Sequence, residues 1–185
     1  MADSMLGEVG NKMKDTIIGV LKGTDEVYDT VLETVRGNVV SLFAGASDVT
    51  SAATSGVSDA VIGALHGVRE VGAAGVEAVG GVTHGTLKGV AEAGGDAVQV
   101  VKHTVRSAVT GASEMGVDVT EAAVKAVSGA VEAVRDVGGD VVMATEHAVK
   151  GAIEAVENVS SESVEAVKNV LSSSVDGARD VIKKL

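Results

Sequence analysis

The stretch AVSGAVEAVRDVGGDVV, residues 126–142, decides the fold, because its composition and its spacing point in different directions. Valine and glycine are both poor helix formers, and valine favours strands. Yet Ala126, Ala130 and Ala133 recur at helical spacing, and Glu132, Arg135 and Asp136 fall where a helix would show them to water. Around this stretch the whole chain of 185 residues divides from Met1 into blocks of eleven without insertion, giving sixteen full blocks and nine further residues. Repeats of this kind are GVREVGAAGVE (67–77), AAVKAVSGAVE (122–132), AVRDVGGDVVM (133–143) and AVENVSSESVE (155–165).

Within the block, position one from Gly45 onward is Gly or Ala in twelve of thirteen cases, Val100 being the exception. Position ten is Val, Leu, Ile or Phe in thirteen of sixteen, and position four is acidic in nine of seventeen. Eleven residues make about three helical turns. Positions one, five, nine, two, six and ten then form one apolar arc, while three, seven, eleven, four and eight form a polar one. A strand cannot carry this pattern, because an odd period would exchange its faces at every block. The opening stretch therefore reads as helix.

The expected fold class is all-α. It is a long amphipathic helix of gapless 11-residue repeats, associating as a right-handed coiled-coil bundle, tube or filament. Uninterrupted, that helix would be on the order of 280 Å long at 1.5 Å per residue. A stack of helical hairpins is the alternative, with turns in 71–85, at Gly94–Gly95 or at Gly138–Gly139, provided that each turn preserves the phase. Residues 1–44 carry bulkier apolar groups, including Ile17, Ile18, Leu21, Leu32, Leu42, Tyr28 and Phe43, and read as a possible anchor. Residues 45–185 carry the regular Gly/Ala/Val repeats, and the two parts together make one continuous repeat array.

One edge of the arc is small, at Gly56, Gly67, Ala78, Gly89, Gly111, Ala122, Ala133 and Ala144. The other is bulky, at Leu65, Leu87, Val98, Val109, Val131, Val142, Ile153 and Val164. A stripe of small residues lets another backbone approach closely. Interior helical glycine costs about 1 kcal/mol relative to alanine, so 24 glycines imply contacts that offset the cost. These sixteen residues are the expected helix-packing interface. At position three, Arg36, Arg69, Lys102, Arg135 and Lys168 recur every 33 residues and would set a stagger between neighbouring helices or be a relic of duplication.

Chemistry is sparse. The chain has no Cys, Pro or Trp, and its four histidines are scattered, with His103 and His147 expected on the surface. No phosphate-binding glycine loop, zinc-ligand cluster or nucleophile elbow occurs, so neither a catalytic residue, a cofactor nor a metal is expected, and the protein reads as a non-enzyme. The net charge of −11 argues against nucleic acid, and no small-molecule substrate is implied. The stretch MADSMLGEVGNKMKD lacks the pattern of a secretory signal, and no window has the roughly 18 uncharged apolar residues of a spanning helix. A cytoplasmic location is the default expectation, with non-classical export open.

The gapless period, with VGGVTHGTLKGVAEAGGDAV (79–98) as its clearest run, resembles hendecad repeat proteins. One branch is the lipid-surface group of synucleins and perilipins, a second the late-embryogenesis-abundant proteins, a third the hendecad coiled coils. The synuclein signature KTKEGV is absent here. The first resemblance implies a helix formed on membranes or droplets, and the third a right-handed helical assembly. Two functions follow as expectations. One is a structural protein that self-associates through its Gly/Ala/Val face into a homo-oligomer or filament. The other is an amphipathic coat on a lipid or other hydrophobic surface. Self-association is favoured, because 26 acids against 15 bases suit anionic lipid poorly.

Overall fold

The computed structural model describes residues 7–22, 25–73 and 75–185. Residues 1–6, on which part of the leader reading rests, lie outside it. The described residues form nine helices and no strand. They are α1 (Glu8–Leu21), α2 (Val27–Phe43), α3 (Val49–Glu70), α4 (Gly75–Glu92), α5 (Ala97–Glu114), α6 (Val119–Asp136), α7 (Val141–Glu157), α8 (Ser161–Ser174) and α9 (Ala178–Ile182). The uninterrupted rod expected from the period is therefore not what forms, and the chain folds back as hairpins.

The turns show why an unbroken period does not require an unbroken helix. Gly72, Gly94, Gly116 and Gly138 have φ of 69°, 95°, 77° and 73°, the left-handed conformation that ends a helix and that glycine adopts without a Cβ penalty. Behind each, a backbone N–H reaches back over the last turn: Ala73 to Val68 O, Gly95 to Val90 O, Val117 to Ala112 O and Gly139 to Val134 O, at 3.2, 2.9, 3.0 and 2.8 Å. Two residues past three of these glycines an aspartate starts the next helix. Asp96, Asp118 and Asp140 accept from backbone N–H groups of the first turn, satisfying donors that the helix cannot. Four residues of turn and eighteen of helix make two blocks of eleven, so the phase survives each reversal.

Consecutive helices run antiparallel and helices two apart run parallel, in two layers. α1, α3, α5 and α7 lie side by side in one, with α9 against α7, and α2, α4, α6 and α8 form the other. The apolar arc of each helix is buried between the layers in one core reaching from Met13 to Ala178. Residues 1–44 contribute Met13, Ile17, Val31, Val35 and Val39 to that same core. Helix α4 lies innermost, flanked by α2 and α6 and backed by α3 and α5, and its residues 78–87 are all buried. Threonines tolerate this interior because their hydroxyls donate one turn back, Thr83 to Val79 O and Thr86 to Val82 O. Helices α2 and α8, the two ends of their layer, are covered on one side only. The outward faces of α2 (Asp29, Glu33, Ser41) and α8 (Glu162, Glu165, Asn169) are polar, as the ends of a repeat stack must be to face water.

Candidate functional site: the glycine seams

Parallel helices meet where one of them lacks a side chain. At Gly63 a Cβ would run into the backbone of Gly10, and at Gly85 into that of Leu32. At Gly129 it would lie 2.6 Å from Gly80 O, and at Gly151 2.5 Å from Lys102 O. In the seam of α3 against α5, Ser107 takes the place and its hydroxyl pairs with that of Ser58 at 2.7 Å. These five positions are 22 residues apart, and all fall at position eight of the block, on the arc expected to be polar. In three of the four intervening blocks position eight is Asp96, Asp118 or Asp140, the helix caps, and in the other it is Ala74. One position thus alternates between seam and cap.

The expected interface residues fall mostly inside this architecture, facing other helices of the same chain. Four residues beyond the seam centres, a Cβ on Gly67 would meet Lys14 O at 2.8 Å and one on Gly89 would meet Arg36 O at 2.8 Å. Gly111 faces Leu65 Cδ1 at 2.9 Å, and Gly56 the Phe43 ring at 3.5 Å. Ala78, Ala122, Ala133, Ala144, Leu65, Leu87, Val109, Val131 and Ile153 are buried. Val98 and Val164 are half-buried at the edge of the core. Val142 is 80 % exposed. It sits in the first turn of α7, beside the cap at Asp140, and Val137 and Met143, close by in the chain, are 38 % and 48 % exposed.

Ion pairs bridge the same parallel neighbours at the surface. Arg36 reaches Glu92 on α4 at 2.9 Å and pairs with Glu33; Lys102 reaches Glu154 on α7 at 2.6 Å; Lys125 reaches Glu77 on α4 at 3.1 Å. Arg69 approaches the Glu114 carbonyl at 3.5 Å. Three of the five position-three cations thus address the helix two along within one chain. The guanidinium of Arg36 is held further towards its charged form by hydrogen bonds to Glu92 and Glu33.

The layer α2–α4–α6 holds a polar cluster to which the period gave no clue. His84 on α4, 7 % exposed, has Tyr28 Oη at 3.0 Å from Nδ1 and Asp136 Oδ2 at 3.0 Å from Nε2. Tyr28 also lies 3.4 Å from Glu132 Oε2. Burial first, then the Glu132 charge, pushes the Tyr28 hydroxyl up to about 12. The other histidines lie elsewhere. His103 is exposed, His147 donates from Nδ1 to Val98 O at 3.0 Å, and His66 lies 3.6 Å from Glu114. Among the described residues no group of three or more His, Cys, Asp or Glu is arranged to hold a metal, and no helix is long and apolar enough to cross a membrane. A surface cleft of about 570 Å³ lies between the starts of α4 and α6 and the end of α8, lined by Val76, Val124, Val170, Glu77, Glu121 and Lys125. No protein-family model matches the chain, and a search of curated proteins gives no match either.

Proposed function

We propose that this is a non-catalytic structural protein whose chemistry is helix-on-helix packing, and that it assembles with copies of itself. The glycine seams carry this reading. A helix adsorbed on oil or lipid gains nothing from a glycine placed against another backbone, and it still bears the propensity cost of about 1 kcal/mol. Glycine at four of five positions spaced 22 residues apart, each of the four opposite a backbone two helices away, fits packing against protein. Because the apolar arc is filled within the chain, contact between copies falls to what stays uncovered. Foremost among such residues are Val137, Val142 and Met143 at the α6–α7 turn.

The test is light scattering after size exclusion, with circular dichroism on the same sample. Self-association predicts a helical species heavier than one chain, returned towards one chain by Val142→Asp with Met143→Asp while helicity is unchanged. A helical monomer at all accessible concentrations overturns assembly. Gly89→Leu probes the seams directly and should lower helicity or cooperativity in water.

A second reading, the hydrophobic-surface coat, is favoured by one observation. Helix α8 buries only Val167 and Leu171 fully, leaving Val164 and Val175 at the rim of the core, so the C-terminal hairpin has the least to lose on transfer to an apolar surface. Helicity that rises only on addition of neutral-lipid droplets would favour this reading over assembly.

A further inference from the structure

We propose that Tyr28, His84, Glu132 and Asp136 form a proton-responsive latch that ties α6 to α2 across α4, the Tyr28 hydroxyl turning from His84 to Glu132 when the imidazole takes a second proton.

The geometry permits two hydrogen-bond patterns in which both ring nitrogens are paired. Asp136 is a carboxylate and can only accept, so the Nε2 facing it at 3.0 Å carries the proton in the neutral ring. Nδ1 is then a lone pair and accepts from Tyr28 O–H at 3.0 Å. Having one hydrogen, Tyr28 then offers nothing to Glu132. In the imidazolium both nitrogens donate. Nδ1–H now points at the Tyr28 oxygen, which must accept, and the phenol hydrogen is free to turn to Glu132 Oε2, 3.4 Å away. The chain Asp136–His84–Tyr28–Glu132 then runs unbroken from α6 through α4 to α2 and back to α6.

The helices are shaped for this reach. Tyr28 belongs to α2 and Glu132 to α6, on opposite sides of α4. The phenol spans the gap because α4 offers Gly80 beneath the ring and Gly81 against the Tyr28 backbone. A Cβ on Gly80 would meet Tyr28 Cε2 at 3.1 Å, and one on Gly81 would meet Tyr28 O at 2.8 Å. The groups facing His84 and Tyr28 are those of the cluster itself, with Lys88 of α4 at 3.7 Å from Asp136 and Asp29 of α2 acting on Tyr28. Glu132 also lies 3.9 Å from Nδ1, so the imidazolium would be flanked by two carboxylates. The other helices against α4, namely α3 and α5, send no hydrogen bond or ion pair to His84 among the described residues.

The experiment is histidine-ring ¹⁵N NMR on the whole chain, followed by a double-mutant cycle of Tyr28→Phe and Glu132→Ala. The cycle is run at one pH where the ring is neutral and one where it is the imidazolium. The expected spectrum at the higher pH is the Nε2–H tautomer. The expected coupling between positions 28 and 132, read as the unfolding constant in urea, is within twofold of none for the neutral ring and about fivefold for the imidazolium, the worth of one hydrogen bond. An Nδ1–H tautomer, or equal coupling in the two states, overturns the latch. Should a variant fail to fold, the wild-type Glu132 carboxyl ¹³C resonance decides. It moves in step with the His84 ring if the latch exists, and its indifference to that ring overturns it.

Discussion

Gly129 and Gly80 meet so closely that a methyl group on the first would stand 2.6 Å from the carbonyl oxygen of the second. Both residues are helical, on α6 and α4, and the contact leaves no room for a side chain on Gly129. In an exposed helix interior, Gly→Ala stabilises by up to about 1 kcal/mol. In the seam the sign reverses, because overpacking against a backbone that cannot swing aside costs roughly 1–3 kcal/mol. Gly129→Ala is therefore expected to lower the urea midpoint. Gly37→Ala, on the open face of α2 where a Cβ would meet nothing within 4 Å, is expected to raise it. Equal effects of the two substitutions would dissolve the seam argument.

The sequence makes the helical class legible and hides the hairpins, and the same positions explain both. Averaged over all blocks, position six reads as apolar and position eight as polar. Taken in alternate blocks, position six is Gly72, Gly94, Gly116 and Gly138 at the turns, and Val61, Thr83, Val105, Val127 and Val149 in buried helix interiors. From residue 85 onward position eight is a seam glycine or Ser107 in one set of blocks and an aspartate cap in the other, up to Gly151. A 22-residue period was thus written in the chain, and folding it onto eleven erased it. The small edge at position one was visible because it is small in nearly every block. The Tyr28–His84 cluster left no periodic trace, since each residue occurs once.

The turn glycines carry a separate prediction. Gly116 has φ of 77° and no neighbour that a Cβ would strike within 4 Å, so the cost of Gly116→Ala is conformational alone. A non-glycine residue in the left-handed region costs about 1–2 kcal/mol. The same loss is expected at Gly94 and Gly138, and an asparagine at any of the three should recover part of it. Thermal unfolding of the three alanine variants checks this, and three unchanged transitions would mean that the turns do not hold the hairpins as described.

At the start of α3, Asp48 accepts from the Ser51 backbone N–H at 3.0 Å and from its hydroxyl at 2.7 Å. These bonds, the backbone one foremost, hold the carboxyl below its ordinary range. The sign follows from linkage. A depressed folded-state value contributes stability above the unfolded carboxylate range, near 3.9, and that contribution is lost as pH falls through the folded value. Asp48→Asn should therefore make the acid limb of the stability profile shallower, with little change at its base. An acid limb identical to that of the native protein would show that the cap does not titrate with folding.

Tyr28 gives the opposite limb. Its hydroxyl is pushed up to about 12 in the folded chain, by burial and then by Glu132, against about 10 when unfolded. Between these values the unfolded chain has released the proton and the folded chain has kept it. The unfolded state then binds fewer protons, so stability falls as pH rises from about 10 to about 12 and levels off beyond. The phenol is part-exposed, so salt and solvent reduce the size of the fall without changing its sign. Tyr28→Phe removes the group and should flatten the alkaline limb relative to the native protein over those two units, in urea titrations at matched ionic strength. Because this is the only tyrosine in the chain, its ultraviolet phenolate band follows the same event directly, and a band rising at the unfolded value in the folded protein would contradict the burial of its hydroxyl among α2, α4 and α6.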